Sequence, residues 1–193
     1  MKPLLPFFAR FGMRIFDIRE VDIHGGSFRI FVDRCRRDVE PGLIERFLER
    51  EEREGVHDAR RLHRFAGEVA ENRRQLVELL RELRASGKRV AGVSAPAKGM
   101  TLLNYCRIGT EMLDFVTEKS RLKIGRFTPG THIPVVPDAE LAARRPDFAL
   151  LLAWNFATEI MGNLREYRAA GGRFIIPIPE PHVVGSEEKV RAA

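Results

Sequence analysis

Apolar positions along this chain change period twice, and the changes divide it into zones. Residues 3–12 group apolar side chains as a short amphipathic helix would, closed by Gly12. Residues 13–20 and 27–33 alternate, which predicts two strands joined through His24-Gly25-Gly26-Ser27 as an antiparallel hairpin. Across residues 40–86 the period lengthens to that of a helix. Leu62, Phe65, Ala66, Val69, Leu76, Leu80 and Leu83 recur every three, four or seven residues and form one stripe. Glu71 with Arg74, and Glu78 with Arg81, occupy the opposite, solvated face. Gly87 closes the helix.

From Lys88 onward, short apolar runs alternate with helical patterns. Strands are expected at 90–93, 112–116, 131–136, 148–153 and 174–178. Helices are expected at about 98–107, from Pro137-Asp138 onward, and over 155–170. These strands are too apolar to face water on either side, so the fold class is α/β: a Rossmann-like parallel sheet with helices on both faces. A helix with a β-hairpin and a long helix precede it. The expected organisation is residues 1–38 as helix and hairpin, 39–87 as a helical linker, 88–180 as the Rossmann-like domain and 181–193 as a frayed polar tail.

Composition narrows the function classes. A chain of 193 residues that is 44% hydrophobic can bury a core in one domain with an appendage. The formal charge of +6 is distributed among glutamates on helix faces, with no basic tract interleaved with aromatics. It therefore points to a small polyanion and not to a nucleic acid. Cys35 and Cys106 lack the spacing of a zinc site or a disulfide framework, so the expectation is reduced thiols in a cytoplasm and no metal. No apolar run reaches membrane-spanning length.

In open parallel sheets ligands bind beyond the carboxyl ends of the strands, and three polar motifs fall there. The first runs from Ser94 to Thr101, where a strand turns into a helix. A helix amino end presents free N–H groups and positive dipole to an anion, Lys98 adds a full charge, and Gly99 permits close backbone approach. Asn104 follows on the same helix. The second is the loop holding Lys123 and Arg126, suited to clamp a diphosphate, with a Pro129-Gly130 turn presenting Thr131 and His132. A lone histidine without an acidic neighbour reads first as a structural hydrogen-bonder. The third is Ala153-Trp154-Asn155. Trp154 is suited to stacking on a base or sugar and equally to core packing, and Asn155 to capping the next helix. No dinucleotide fingerprint, P-loop, zincin motif or nucleophile elbow is present. The residues alone lead to a Rossmann-like domain with an anionic ligand.

Several linked motifs in order resemble the C-terminal part of S-adenosylmethionine-dependent sugar C-methyltransferases. They are Ala95-Pro96-Ala97-Lys98-Gly99 with Thr101-Leu102-Leu103-Asn104-Tyr105, and Lys123, Gly125-Arg126 and Pro129-Gly130-Thr131-His132-Ile133-Pro134. Pro146-Asp147, Ala153-Trp154-Asn155 with Glu159-Ile160, Gly171-Gly172-Arg173-Phe174 and Pro177-Ile178-Pro179 continue the match. With His24-Gly25-Gly26-Ser27 it covers nearly the whole chain.

The resemblance implies that the Lys98 loop, the Arg126–His132 loop and Trp154-Asn155 face a nucleotide-linked keto-sugar. It also implies S-adenosylmethionine for the full family enzyme, which adds a zinc-binding and a methyltransferase domain. This chain contains no zinc-type cysteine cluster, no glycine-rich S-adenosylmethionine loop and no His-Glu-His catalytic segment. It departs further at Met100 and at Thr117-Glu118, where the family carries an aspartate.

The expectation is a substrate-binding domain, either a truncated copy or half of a split enzyme. It would hold no catalytic residue or cofactor of its own and would work with a methyltransferase subunit that binds S-adenosylmethionine. Residues 1–38 then leave a bare strand edge, which predicts a homodimer. A non-enzymatic nucleotide-sugar- or protein-binding module is the first alternative. A small dinucleotide-dependent oxidoreductase is the second, disfavoured by the missing glycines and by the lack of an acid at the second strand end.

Overall fold

The computed structural model describes residues 1–23, 25–35 and 37–185. His24 of the expected hairpin turn and the end of the chain beyond Gly185 lie outside the described residues. The chain divides into two compact units, Met1–Gly67 and Glu68–Ala193.

In the first unit, helix α1 (Leu4–Ala9) precedes strands β1 (Arg14–Val21) and β2 (Ser27–Asp33). The strands pair antiparallel from Arg14 opposite Asp33 to Val21 opposite Ser27, with a bulge between Ile15 and Asp17. Ile15, Ile18 and Leu43 are buried, with Leu4, Phe8, Ile30 and Phe47 against them. The single helix expected over 40–86 is two, α2 (Leu43–Arg53) and α3 (Ala59–Ala85). Asp58 ends the interruption by accepting a hydrogen bond from Arg60 N–H at 2.9 Å, the geometry of a helix N-cap. The boundary between the units falls inside α3.

The second unit is a six-stranded sheet. Its strands are β3 (Val90–Val93), β4 (Val116–Glu118), β5 (Val135–Pro137), β6 (Phe148–Leu151), β7 (Arg173–Ile176) and β8 (His182–Val184). Their spatial order is β5-β4-β3-β6-β7-β8. The first five are mutually parallel, and β8 is antiparallel to β7.

Period-two alternation sends neighbouring residues to opposite faces. Val90, Phe148, Leu150 and Ile175 pack beneath α3 and α4 (Ala97–Cys106) with Leu76, Leu80 and Leu103. Ala91, Val93, Ala149, Leu151, Phe174 and Ile176 pack on the other face. There they meet α5 (Ala139–Arg144), α6 (Ala157–Asn163) and α7 (Arg165–Ala169) through Leu141, Met161 and Tyr167. The Rossmann-like α/β class with helices on both faces is therefore borne out. Among the described residues no helix is long and apolar enough to cross a membrane.

Several boundaries differ from the sequence reading. The second strand of the sheet begins at Val116, and Met112 and Leu113 lie buried in the preceding turn. The third starts at Val135, because residues 128–133 form a closed turn in which Thr128 Oγ1 accepts the Ile133 N–H. The helix expected over 155–170 is a 3₁₀ turn (Trp154–Phe156) followed by α6 and α7. Strand β8 lies where a frayed tail was expected.

An ion network fastens the amino ends of the strands. Asp114 accepts from Arg84 at 2.9 Å and Arg89 at 3.0 Å, while Asp147 accepts from Arg89 N–H at 2.8 Å and Lys88 at 3.3 Å.

Candidate functional site at the carboxyl rim of the sheet

At the opposite rim, β3 runs into α4 through Ser94, Ala95 and Pro96. Ser94 sits at φ +68°, a left-handed conformation that a serine adopts only when its neighbours hold it. Glu118, the last residue of β4, provides that hold. Its carboxylate accepts N–H bonds from Ala95 at 3.1 Å, Lys119 at 2.9 Å and Ser120 at 3.2 Å. It also takes one from Lys123 Nζ at 3.0 Å, and the same ammonium donates to Ala95 O at 2.9 Å. Burial alone would raise the Glu118 pKa, but the bonds from Lys123 and the three backbone N–H groups outweigh it and hold the carboxyl below its ordinary value.

The second parallel strand therefore does end in an acid, contrary to the sequence reading, which placed that strand too early. Its oxygens are engaged in fixing the turn. Lys123 is engaged there as well.

No side chain caps the first turn of α4 and no acidic residue lies in it. Lys98 projects from that turn. Its Nζ lies 4.5 Å from the Trp154 ring centroid and 5.9 Å from that of Phe156, the two aromatics of the 3₁₀ turn after β6. An ammonium over aromatic faces gains about 0.5–2 kcal/mol. Lys98 makes no ion pair among the described residues, and burial pushes its pKa down from the ordinary lysine value.

Gly99 is closed off, because a Cβ there would lie 2.8 Å from Leu152 Cβ. The glycine brings α4 against the end of β6. Asn155 is not a helix N-cap: neither the 3₁₀ turn nor α6 has a side-chain cap, and its amide oxygen is buried inside the turn. Thr101 bonds back to Ala97 O at 3.3 Å, on the exposed side of α4.

Two hollows flank the Ser94–Pro96 turn. The larger, about 700 Å³, is lined by Ser94, Glu118, Ala153, Phe156 and residues of α5, α6 and α7. The smaller, about 380 Å³, lies between Ala95, Ala97 and Met100 and the β4–β5 loop, with Lys123, Arg126 and Phe127 on its wall. Lys98 and Trp154 are thus brought together, and Arg126 stands apart from them in the smaller hollow.

The remaining candidates hold that loop in place. Asn104 donates to Pro129 O at 3.0 Å and Met100 O at 2.8 Å, and Gly130 fits only because it has no Cβ, which would lie on Asn104 Oδ1. The Thr131 and Thr128 hydroxyls are 2.7 Å apart. His132 is exposed at φ +54° and its backbone N–H bonds Thr128 O at 2.9 Å.

Sequence reasoning missed Glu118 as the organiser of the turn and Phe156 as the second aromatic. The signal for Phe156 was present, an aromatic two residues beyond Trp154 at the same strand end.

Comparison with known proteins adds two findings. The family described as C-methyltransferase C-terminal domain matches residues 22–179. The chain is also 40% identical over 186 residues to C-methyltransferase NovU of Streptomyces niveus, covering 95% of this chain and 44% of that protein. It thus spans less than half the length of that curated relative.

Proposed function

Because the chain belongs to the family of C-methyltransferase C-terminal domains, we propose that it seats a nucleotide-linked sugar for C-methylation and does not transfer the methyl group by itself. The observation that carries this reading is the Lys98 ammonium, half-buried over Trp154 and Phe156 with no carboxylate partner among the described residues. A partly desolvated cation at an uncapped helix amino end is a seat for a diphosphate. Trp154, half-buried beside it, offers a face for stacking.

The family's methyl donor is S-adenosylmethionine. The residues present do not fit an adenosyl group or a dinucleotide. The strand-end acid that would take a ribose diol is bonded to Ala95, Lys119, Ser120 and Lys123, and the space at Gly99 is filled by Leu152. In this reading the donor comes from a methyltransferase polypeptide that binds S-adenosylmethionine, and this chain binds and orients the acceptor.

Substituting Lys98 with Ala is expected to weaken binding of nucleoside-diphosphate sugars by roughly 10- to 100-fold in titration calorimetry, the worth of one charge-assisted hydrogen bond. Unchanged affinity refutes the phosphate seat. Incubating the chain alone with labelled S-adenosylmethionine and a keto-sugar nucleotide is expected to give no transfer, and turnover would overturn the division of labour. A second copy of the chain is expected along the β1–β2 hairpin. These strands pair with no further strand among the described residues, which leaves backbone groups to satisfy. Sedimentation as a monomer at micromolar concentration counts against that contact.

A further inference from the structure

We infer that the groove between α3 and α4 on the surface of the second unit docks an acidic amphipathic helix of a partner polypeptide. The inference stands apart from the reading of Lys98, whose side chain is not part of this groove.

Leu76, Leu80 and Leu103 press α3 and α4 onto one face of the sheet. Between the outer flanks of the two helices lies a groove of about 750 Å³. Ala70, Arg73, Arg74, Val77, Glu78 and Arg81 recur at helical spacing along one of its walls. That wall is three turns long, roughly 16 Å at the rise of an α-helix. Cys106 and Arg107, at the end of α4, form the other side. Arg74, Glu78, Arg81, Glu82 and Arg107 are exposed along it.

The charges of the groove do not balance. Arg74 donates to Glu71 at 2.7 Å and to Glu78 at 2.7 Å. Spacing alone set Glu78 beside Arg81, but Arg74 holds it. Arg73, Arg81 and Arg107 therefore make no ion pair among the described residues. Glu82 is the one lining carboxylate left to face them. Arg73 lies instead over the Tyr105 ring, 5.5 Å from its centroid, which fixes its guanidinium between the helices. Burial pushes the Cys106 thiol up to about 11, so it stays neutral and joins Ala70 and Val77 as an apolar floor.

Floor and charges together select the occupant. Guanidinium forks pair with carboxylates, and the floor takes apolar side chains. A helix with both on one face meets both demands, in the manner of helix-in-groove recognition. A small polyanion would leave the floor uncovered. An uncharged helix would leave three guanidinium groups without partners.

The test measures fluorescence anisotropy of labelled synthetic peptides, each about four helical turns long, on the full chain. The first carries Leu and Glu on one face. The second has the same composition, shuffled so that they no longer share a face, and the third has Lys in place of Glu. Inorganic tripolyphosphate is titrated separately by calorimetry. Arg73→Glu and Arg107→Glu reverse charge inside the groove, and Arg10→Glu makes the same change at an exposed position of the first unit. Arg107 is exposed, so its variant carries the test should Arg73→Glu fail to fold once its ring contact is lost.

The first peptide is expected to bind at least about fivefold more tightly than the other two, and each groove reversal to weaken it by about fivefold or more. Arg10→Glu should leave its affinity unchanged. Equal binding of the first and shuffled peptides, or equal weakening by Arg10→Glu, reduces the effect to net charge and overturns the inference. Tripolyphosphate that binds more tightly than the peptide and is lost in Arg107→Glu makes the groove a phosphate site and overturns the helix. Absence of binding by the first peptide at millimolar concentration ends the proposal.

Discussion

Glu118 is the residue on which the geometry of the carboxyl rim turns. One carboxylate gathers three backbone N–H groups and the Lys123 ammonium, with its side chain 13% exposed. Replacing it with Gln removes the charge but keeps the shape, and is expected to cost about 1–3 kcal/mol in urea unfolding near neutral pH. The sign of the pH dependence follows from linkage. The folded pKa lies below the ordinary 4.5, so the stabilisation is complete above that value and disappears as pH falls through the folded one. Wild type and Glu118→Gln should therefore converge in stability in acid. A gap between them that persists below the folded pKa would show that the charge is not the source.

At the scale of elements, the approach of α4 to β6 depends on Gly99. A methyl group there would stand 2.8 Å from Leu152 Cβ and 3.1 Å from the Leu152 carbonyl oxygen, so the helix would have to move. Gly99→Ala is expected to lower stability by about 1–3 kcal/mol in thermal or urea unfolding and to displace Lys98 with its helix, weakening ligand binding as well. Full stability in that variant would mean that the helix has room to shift.

The buried strands were legible because their apolar runs have no polar side, and Lys98 and Trp154 because they stand where such runs end. What was hidden has physical causes. Met112, Leu113 and Phe115 are as buried as a strand, so hydrophobicity placed β4 early and disguised Glu118 as a loop residue. Sequence order does not reveal that Glu118 engages Lys123, or that Lys123 and Arg126 share the wall of the smaller hollow and not that of the hollow beside Phe156. Strand β8 is short and follows three prolines, and only its pairing with β7 makes it a strand.

At the scale of the whole molecule, the two units have cores of different depth. The sheet of the second buries Val90, Ala91, Phe148, Ala149, Leu150 and Phe174 almost completely. The first unit rests on a few residues around Ile15, Ile18 and Leu43. Local opening follows such differences. Hydrogen exchange is expected to be slowest in β3, β6 and β7 and at least about tenfold faster in β1 and β2. Equal protection throughout would mean one cooperative body.

The fastening of Asp114 and Asp147 to Arg84, Lys88 and Arg89 sits at the rim remote from Lys98 and Trp154. The loops around the candidate seat are thereby relieved of keeping the strands in line. They can change in length or sequence while the scaffold persists, as the handle of a tool outlasts its interchangeable heads.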